Sequence, residues 1–256
     1  MNRITQLFNS GKKDILSVYF TAGYPSLNDT FRTITELEKR GVDLIEIGIP
    51  FSDPIADGPV IQKSGAKALL NGITLSLIFQ QLKEIREYST IPLVLMGYIN
   101  PVLRMGMEKF LHHAKEVGID GVIIPDLPPE EYLEKYKVLF ENAGIFNNFL
   151  ITPQTPDDRL KQIDQWSKGF LYMVSSASTT GRRDSFDEKQ LEYFKRVNDM
   201  NLKTPRLIGF GIYDRTTFEK ACSFANGAII GSAFIEAVSE NGTLAQKVSS
   251  FLETIR

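Results

Sequence analysis

Cysteine is almost missing from these 256 residues: Cys222 stands alone. One thiol forms no internal disulfide, which fits a reducing compartment, and its place late in a helical stretch suits a small packed hydrophobe. Histidine is nearly as scarce. His112 and His113 are adjacent, so on a helix they point about 100° apart and cannot act as an i, i+4 metal pair. They read as surface residues, and no metal site is expected. The single tryptophan, Trp166, falls at a helix end and reads as packing. Lys plus Arg number 29 against 31 Asp plus Glu. That balance leaves no basic footprint for nucleic acid. No apolar run is long enough to cross a bilayer, and Met1 to Phe8 lacks the apolar stretch of a signal peptide. The expectation is a cytoplasmic protein with no membrane or nucleic-acid partner.

What is present is an alternation. Short runs rich in Val, Ile, Leu and Phe recur at 15–20, 44–48, 93–96, 121–124, 146–151, 170–175, 206–208 and 228–230. They show little polar alternation, as strands buried on both faces of a parallel sheet do. Between them lie helical spacings. Met107, Phe110, Leu111, Ala114 and Val117 form one stripe. Leu27, Phe31, Ile34 and Leu37 form another, with Ser26 placed to cap its start. Tyr132, Leu133, Tyr136, Leu139 and Phe140 form a third. Glycine closes the helices at Gly41, Gly118, Gly144 and Gly227, each leading into the next strand. Eight βα units in this length predict an α/β fold, one (β/α)8 barrel domain over residues 1–256. An open doubly wound sheet is the alternative, but Thr21-Ala22-Gly23-Tyr24-Pro25 after the first run is no dinucleotide fingerprint.

Chemistry in such a barrel sits on the loops after the strands. Glu46 lies inside the second run, in Leu44-Ile45-Glu46-Ile47. Ile45 and Ile47 suit the helix layer, so Glu46 points into the barrel. Only Arg206 brings a cation to any strand run. An unpaired, desolvated carboxyl gains a raised pKa suited to general acid–base work. Asp57 follows in a long loop beside Gly58 and Pro59, where a turn-former and a functional carboxylate are equally good readings. Tyr172 lies in the sixth run, and parity alone leaves its direction open. The late loops are glycine-rich: Ser175 to Gly181, Gly209-Phe210-Gly211, and Gly231-Ser232-Ala233 opening a helix. Together they suit a phosphate held by backbone N–H groups and a helix N-terminus.

At these residues a family becomes visible. The run Ile45 to Gln62 resembles the signature of the tryptophan synthase α subunit. So do Thr21 to Pro25, Met96 to Pro101, Pro125 to Pro128, Gly209 to Gly211 and Gly231 to Ala233, and the likeness also implies an extra N-terminal helix. The resemblance implies a reverse aldol cleavage of indole-3-glycerol phosphate into indole and glyceraldehyde 3-phosphate. It assigns acid–base catalysis to Glu46 and the indole N–H to Asp57. It places Tyr19, Met96, Tyr172 and Thr180 around the substrate, and Gly181, Gly211, Gly231 and Ser232 around its phosphate. It implies no cofactor in this subunit and a β subunit carrying pyridoxal phosphate, in an αββα heterotetramer that meets the loops near Asp53, Asn100 and Pro128. The loop after the sixth run departs from the commoner Ser-x-x-Gly-Val-Thr-Gly pattern, with Ser178 for the glycine and Thr179 for the valine.

Overall fold

Nine strands, all parallel to their neighbours, form one sheet in this computed structural model, which describes residues 1–175 and 186–256. They are β1 (Ile15–Thr21), β2 (Leu44–Gly48), β3 (Leu93–Met96), β4 (Gly121–Ile123), β5 (Phe146–Asn147), β6 (Leu150–Ile151), β7 (Leu171–Val174), β8 (Arg206–Gly209) and β9 (Gly227–Ile230). The order is β5-β4-β3-β2-β1-β9-β8-β7-β6. Its two ends are consecutive in the chain. The expected fifth strand is therefore split in two, and the sheet meets itself at Asn148 and Phe149 to make an eight-membered (β/α) barrel.

Asn148 makes the join. Its backbone N–H donates to Val122 O at 2.9 Å, and Tyr172 N–H donates to Phe149 O at 2.9 Å. Its side-chain amide spans the same gap. Nδ2 donates to Val122 O at 3.4 Å, and Oδ1 accepts the N–H of Phe170 at 3.0 Å. Glycine makes room on both flanks. A Cβ on Gly121 would lie 2.6 Å from Asn148 Nδ2, and one on Gly169 would lie 2.0 Å from its Oδ1. The amide oxygen thus satisfies the Phe170 N–H where the ladder breaks, and the amide nitrogen shares an acceptor with the backbone.

Strand alternation divides the core. Leu16, Val18 and Phe20 face the helices, in the large cluster that also takes Ile34, Ile45, Ile47, Phe110 and Leu111. Ile15, Leu44, Val94, Met96, Ile123, Phe170, Tyr172, Leu207 and Ile229 fill the barrel interior. An extra N-terminal helix, Arg3–Asn9, closes the end where the strands begin. Its Ile4 is fully buried in the interior cluster, and Phe8 meets Phe170 at 6.1 Å between ring centroids.

Two buried aspartates brace that end in the same way. Gly41-Val42-Asp43 and Gly118-Ile119-Asp120 each turn a helix into a strand, with the glycine in the left-handed region at φ 84° and 75°. Asp43 accepts the N–H of Leu16 at 2.9 Å and pairs with Lys12 and Arg256. Asp120 accepts the N–H of Leu93 at 3.0 Å and pairs with Arg3 and Arg86. Each carboxylate thus supplies an acceptor to a strand that would otherwise begin unpaired.

Four local expectations need correction. Ser26 does not cap the first amphipathic helix, which spans Asp29–Lys39 behind Asn28; its backbone N–H instead donates to Asp29 Oδ2 at 3.1 Å. Gly227 is no helix-closing glycine. Its helix ends at Cys222, and a Cβ at Gly227 would lie 2.0 Å from the carbonyl of Ile15, so glycine there permits close approach of β1 and β9. The third stripe is not one α-helix, because Tyr132–Tyr136 forms a π turn before the α-helix Lys137–Ala143. His112 is exposed, but His113 packs on Phe79 at 5.5 Å. Among the described residues no helix is long and apolar enough to cross a membrane.

Candidate active site

Glu46 sits in the middle of β2, opposite Tyr19 of β1 and Val94 of β3. It points into the barrel and is 0% exposed. Its Oε1 accepts the hydroxyl of Ser17 at 3.2 Å, and Oε2 is buried with no partner among the described residues. Burial pushes its carboxyl up to about 8, against a smaller opposing effect of the Ser17 hydrogen bond. This acid holds its proton at neutral pH.

Asp57 lies on the long loop between β2 and the helix Pro59–Leu70. Its Oδ2 accepts the hydroxyl of Tyr98 at 3.0 Å, while that hydroxyl accepts the N–H of Ala56 at 2.9 Å. The Tyr98 ring packs on Phe51 at 5.4 Å, so the loop is held by stacking as well as by hydrogen bonds. Burial raises the Asp57 carboxyl, and the phenol draws it partly back.

Two phenols complete the chamber, and each needs a glycine. A Cβ on Gly48 would lie 2.1 Å from the Tyr19 hydroxyl, and one on Gly209 would lie 2.2 Å from the Tyr172 hydroxyl. Each ring lies over the end of the neighbouring strand, which fixes the inward direction of Tyr172. Burial first, and then neighbouring carboxylates, raise both phenols: Asp57 dominates at Tyr19, and Glu46 at Tyr172. Met96 ends β3 beside Gly48 and Ile123 and belongs to the same interior cluster.

The glycine loops follow β8 and β9, which are neighbours. Gly211 takes φ 75° and Phe210 takes φ 67°. The hydroxyl of Ser175 braces this turn by donating to Phe210 O at 2.7 Å. Gly231 precedes the helix Ser232–Ser239, whose first turn carries no side-chain cap. A Cβ on Gly231 would lie 3.4 Å from Tyr19 Cδ1, which sets this helix start beside the phenol. Thr180 and Gly181 lie outside the described residues. Among those described, no group of three His, Cys, Asp or Glu side chains gathers as a metal site.

Glu46, Asp57, Tyr19, Tyr172, Met96, Gly211, Gly231 and Ser232 thus all lie within the barrel or at the end where the strands finish. Sequence reasoning had passed over Tyr98 as a partner for Asp57. It had also passed over Ser17, and the part that Gly48 and Gly209 play in seating the two phenols. A serine inside an apolar strand, and glycines ending two strands, were the available signals.

A sequence model of the family described as tryptophan synthase alpha chain matches residues 6–255. The chain belongs to this family. A tryptophan synthase alpha chain from Christiangramia forsetii is 57% identical over 256 residues, covering 100% of this chain and 99% of the relative. A mutant tryptophan synthase α-subunit from Pyrococcus furiosus superposes with a TM-score of 0.87 at 36% identity, covering 95% of this chain and 98% of that one. Tryptophan synthase from M. tuberculosis, in its aminoacrylate-bound form, gives 0.85 at 28% identity over 98% and 96% of the two chains. The tryptophan synthase alpha chain is a lyase of tryptophan biosynthesis that cleaves indole-3-glycerol phosphate, and the barrel described above is the family's fold.

Proposed function

We propose that this chain, as one barrel domain, releases indole from indole-3-glycerol phosphate with Glu46 as the acid–base. The observation that carries the reading is a fully buried carboxyl without a cationic partner among the described residues, raised to about 8. Such a group is protonated at neutral pH and can give a proton to indole C3. Protonation turns the ring into an indolenine-like cation with its positive charge at nitrogen. Asp57, held by Tyr98, faces that charge and stabilises it when ionised. The hydroxyl that becomes the aldehyde then gives its proton back to Glu46. The carbon–carbon bond breaks, its electrons return to the ring, and glyceraldehyde 3-phosphate leaves with indole.

Tyr19, Met96 and Tyr172 enclose the indole in this reading, and the family resemblance adds Thr180 to the substrate's contacts. The phosphate rests on Gly211, Gly231 and Ser232, joined by Gly181. Backbone donors and an uncapped helix start suit an anion without any cluster of Lys or Arg. This subunit needs no cofactor for these steps. Its partner is a β subunit carrying pyridoxal phosphate, in a cytoplasmic αββα assembly docked near Asp53, Asn100 and Pro128, with weak activity expected from the α chain alone.

Indole release from indole-3-glycerol phosphate, measured with β subunit present, tests the reading. Wild type should turn over, and Glu46→Gln should lose at least about a thousandfold in kcat. A Glu46→Gln protein of near wild-type rate would end it.

A further inference from the structure

Ser17 lies between Ile15 and Tyr19 in the row that β1 turns inward. It is fully buried, and its hydroxyl bonds to Glu46 Oε1 at 3.2 Å. A hydroxyl kept in a dry strand interior costs stability unless it is used. Its position also decides something about the carboxyl. With one carboxyl oxygen engaged as the acceptor of a hydroxyl, the proton of the neutral acid belongs on the other oxygen. That other oxygen, Oε2, is the buried one without a partner among the described residues.

We propose that Ser17 is a positioning residue for the cleavage reaction: by donating to Oε1 it orients the Glu46 carboxyl and leaves the transferable proton on Oε2. The inference rests on the reading of Glu46 as the acid–base. It divides the carboxyl into an anchored oxygen and a working one. In the first transfer the Oε2–H bond breaks and a C3–H bond forms, leaving a carboxylate whose charge Ser17 continues to meet. In the second the substrate O–H bond breaks and Oε2 recovers the proton. Ser17 keeps its own proton throughout.

The same hydrogen bond also sets where the carboxyl titrates. Among the described residues, the other titratable groups facing Glu46 are the phenol of Tyr19 on β1, the phenol of Tyr172 on β7 and, beyond them, the carboxyl of Asp57. None carries positive charge. Ser17 is therefore the donor that favours the ionised form, opposing burial.

The test uses the α chain with its β subunit. Ser17→Ala should shift the alkaline limb of the kcat/KM profile upward by roughly one pH unit. It should lower kcat about tenfold with KM within about twofold, because orientation is lost while the substrate contacts remain. Ser17→Thr restores a hydroxyl on a strand that favours β-branched residues and should recover both readings. An infrared titration of the buried carboxyl C=O stretch, with Glu46→Gln identifying the band, reads the same shift without turnover. A pH profile and carboxyl titration unchanged in Ser17→Ala would overturn the positioning role while leaving Glu46 as acid–base. A fully active Glu46→Gln would remove the reading beneath it as well.

Discussion

The hydroxyl of Tyr98 lies 3.0 Å from Asp57 Oδ2 and also takes the N–H of Ala56, so one phenol fastens the active-site loop at two adjacent residues. Donation to the carboxylate favours its charged form and opposes the rise that burial imposes. Tyr98→Phe should therefore push the Asp57 carboxyl further up and leave less of it ionised. We expect kcat/KM for indole release to fall about ten- to a hundredfold at neutral pH. The deficit should shrink as pH rises, because Asp57 must be charged to stabilise the ring cation. Rates across pH 6 to 9 check this, and a deficit independent of pH would count against it.

Glu46 also links folding to pH. Its carboxyl moves from an ordinary 4.5 to about 8 in the fold. The folded chain thus keeps a proton that the unfolded chain releases across that window. Stability from this group is fully present below about pH 4.5 and is lost as pH rises through about 8, by up to a few kcal/mol. Glu46→Gln should remove the slope and be the more stable protein at pH 8. Urea unfolding of both proteins at pH 6 and pH 8 measures the difference.

Gly209→Ala would set a methyl group 2.2 Å from the Tyr172 hydroxyl. The ring must shift, at a cost of about 1–3 kcal/mol and most of the activity. Tyr172→Leu empties the same space, so the double variant should lose less stability than the two single losses summed. Gly48→Ala with Tyr19→Leu repeats the experiment on the other phenol. Additive losses would show that ring and glycine do not compete for space.

Asp120 receives two arginines and the N–H of Leu93 at the end of the barrel away from the chemistry. Asp120→Ala should cost roughly 3–5 kcal/mol, since it strands buried donors. Its kcat should match wild type wherever the protein is folded. Denaturant curves beside indole assays separate the two effects.

Much of this was readable from residue order, for physical reasons that can be named. Glu46 was legible because a charged residue between two isoleucines leaves one direction open to it. Tyr172 was not, because its neighbours are apolar on both sides and alternation carries no sign; the deciding residue, Gly209, stands on another strand. Asp57 looked equally like a turn-former because its partner Tyr98 is distant in the chain. The break at Asn148 was hidden for a similar reason. Phe146 to Ile151 reads as one apolar run, and only the glycines on its two flanks, Gly121 in β4 and Gly169 ahead of β7, disclose an amide wedged between them.

That amide gives the cylinder a clasp. Everywhere else around the ring, neighbouring strands are laced by regular backbone ladders, whereas at Asn148 a single side chain helps to bridge what the ladder leaves open. The chain itself runs unbroken from β5 to β6, and the ladders on either side of it are short, two residue pairs to β4 and two to β7. The wall beside Asn148 is therefore the most thinly laced part of the ring, and amide hydrogens on either side of it should exchange with solvent before those of β1 or β2.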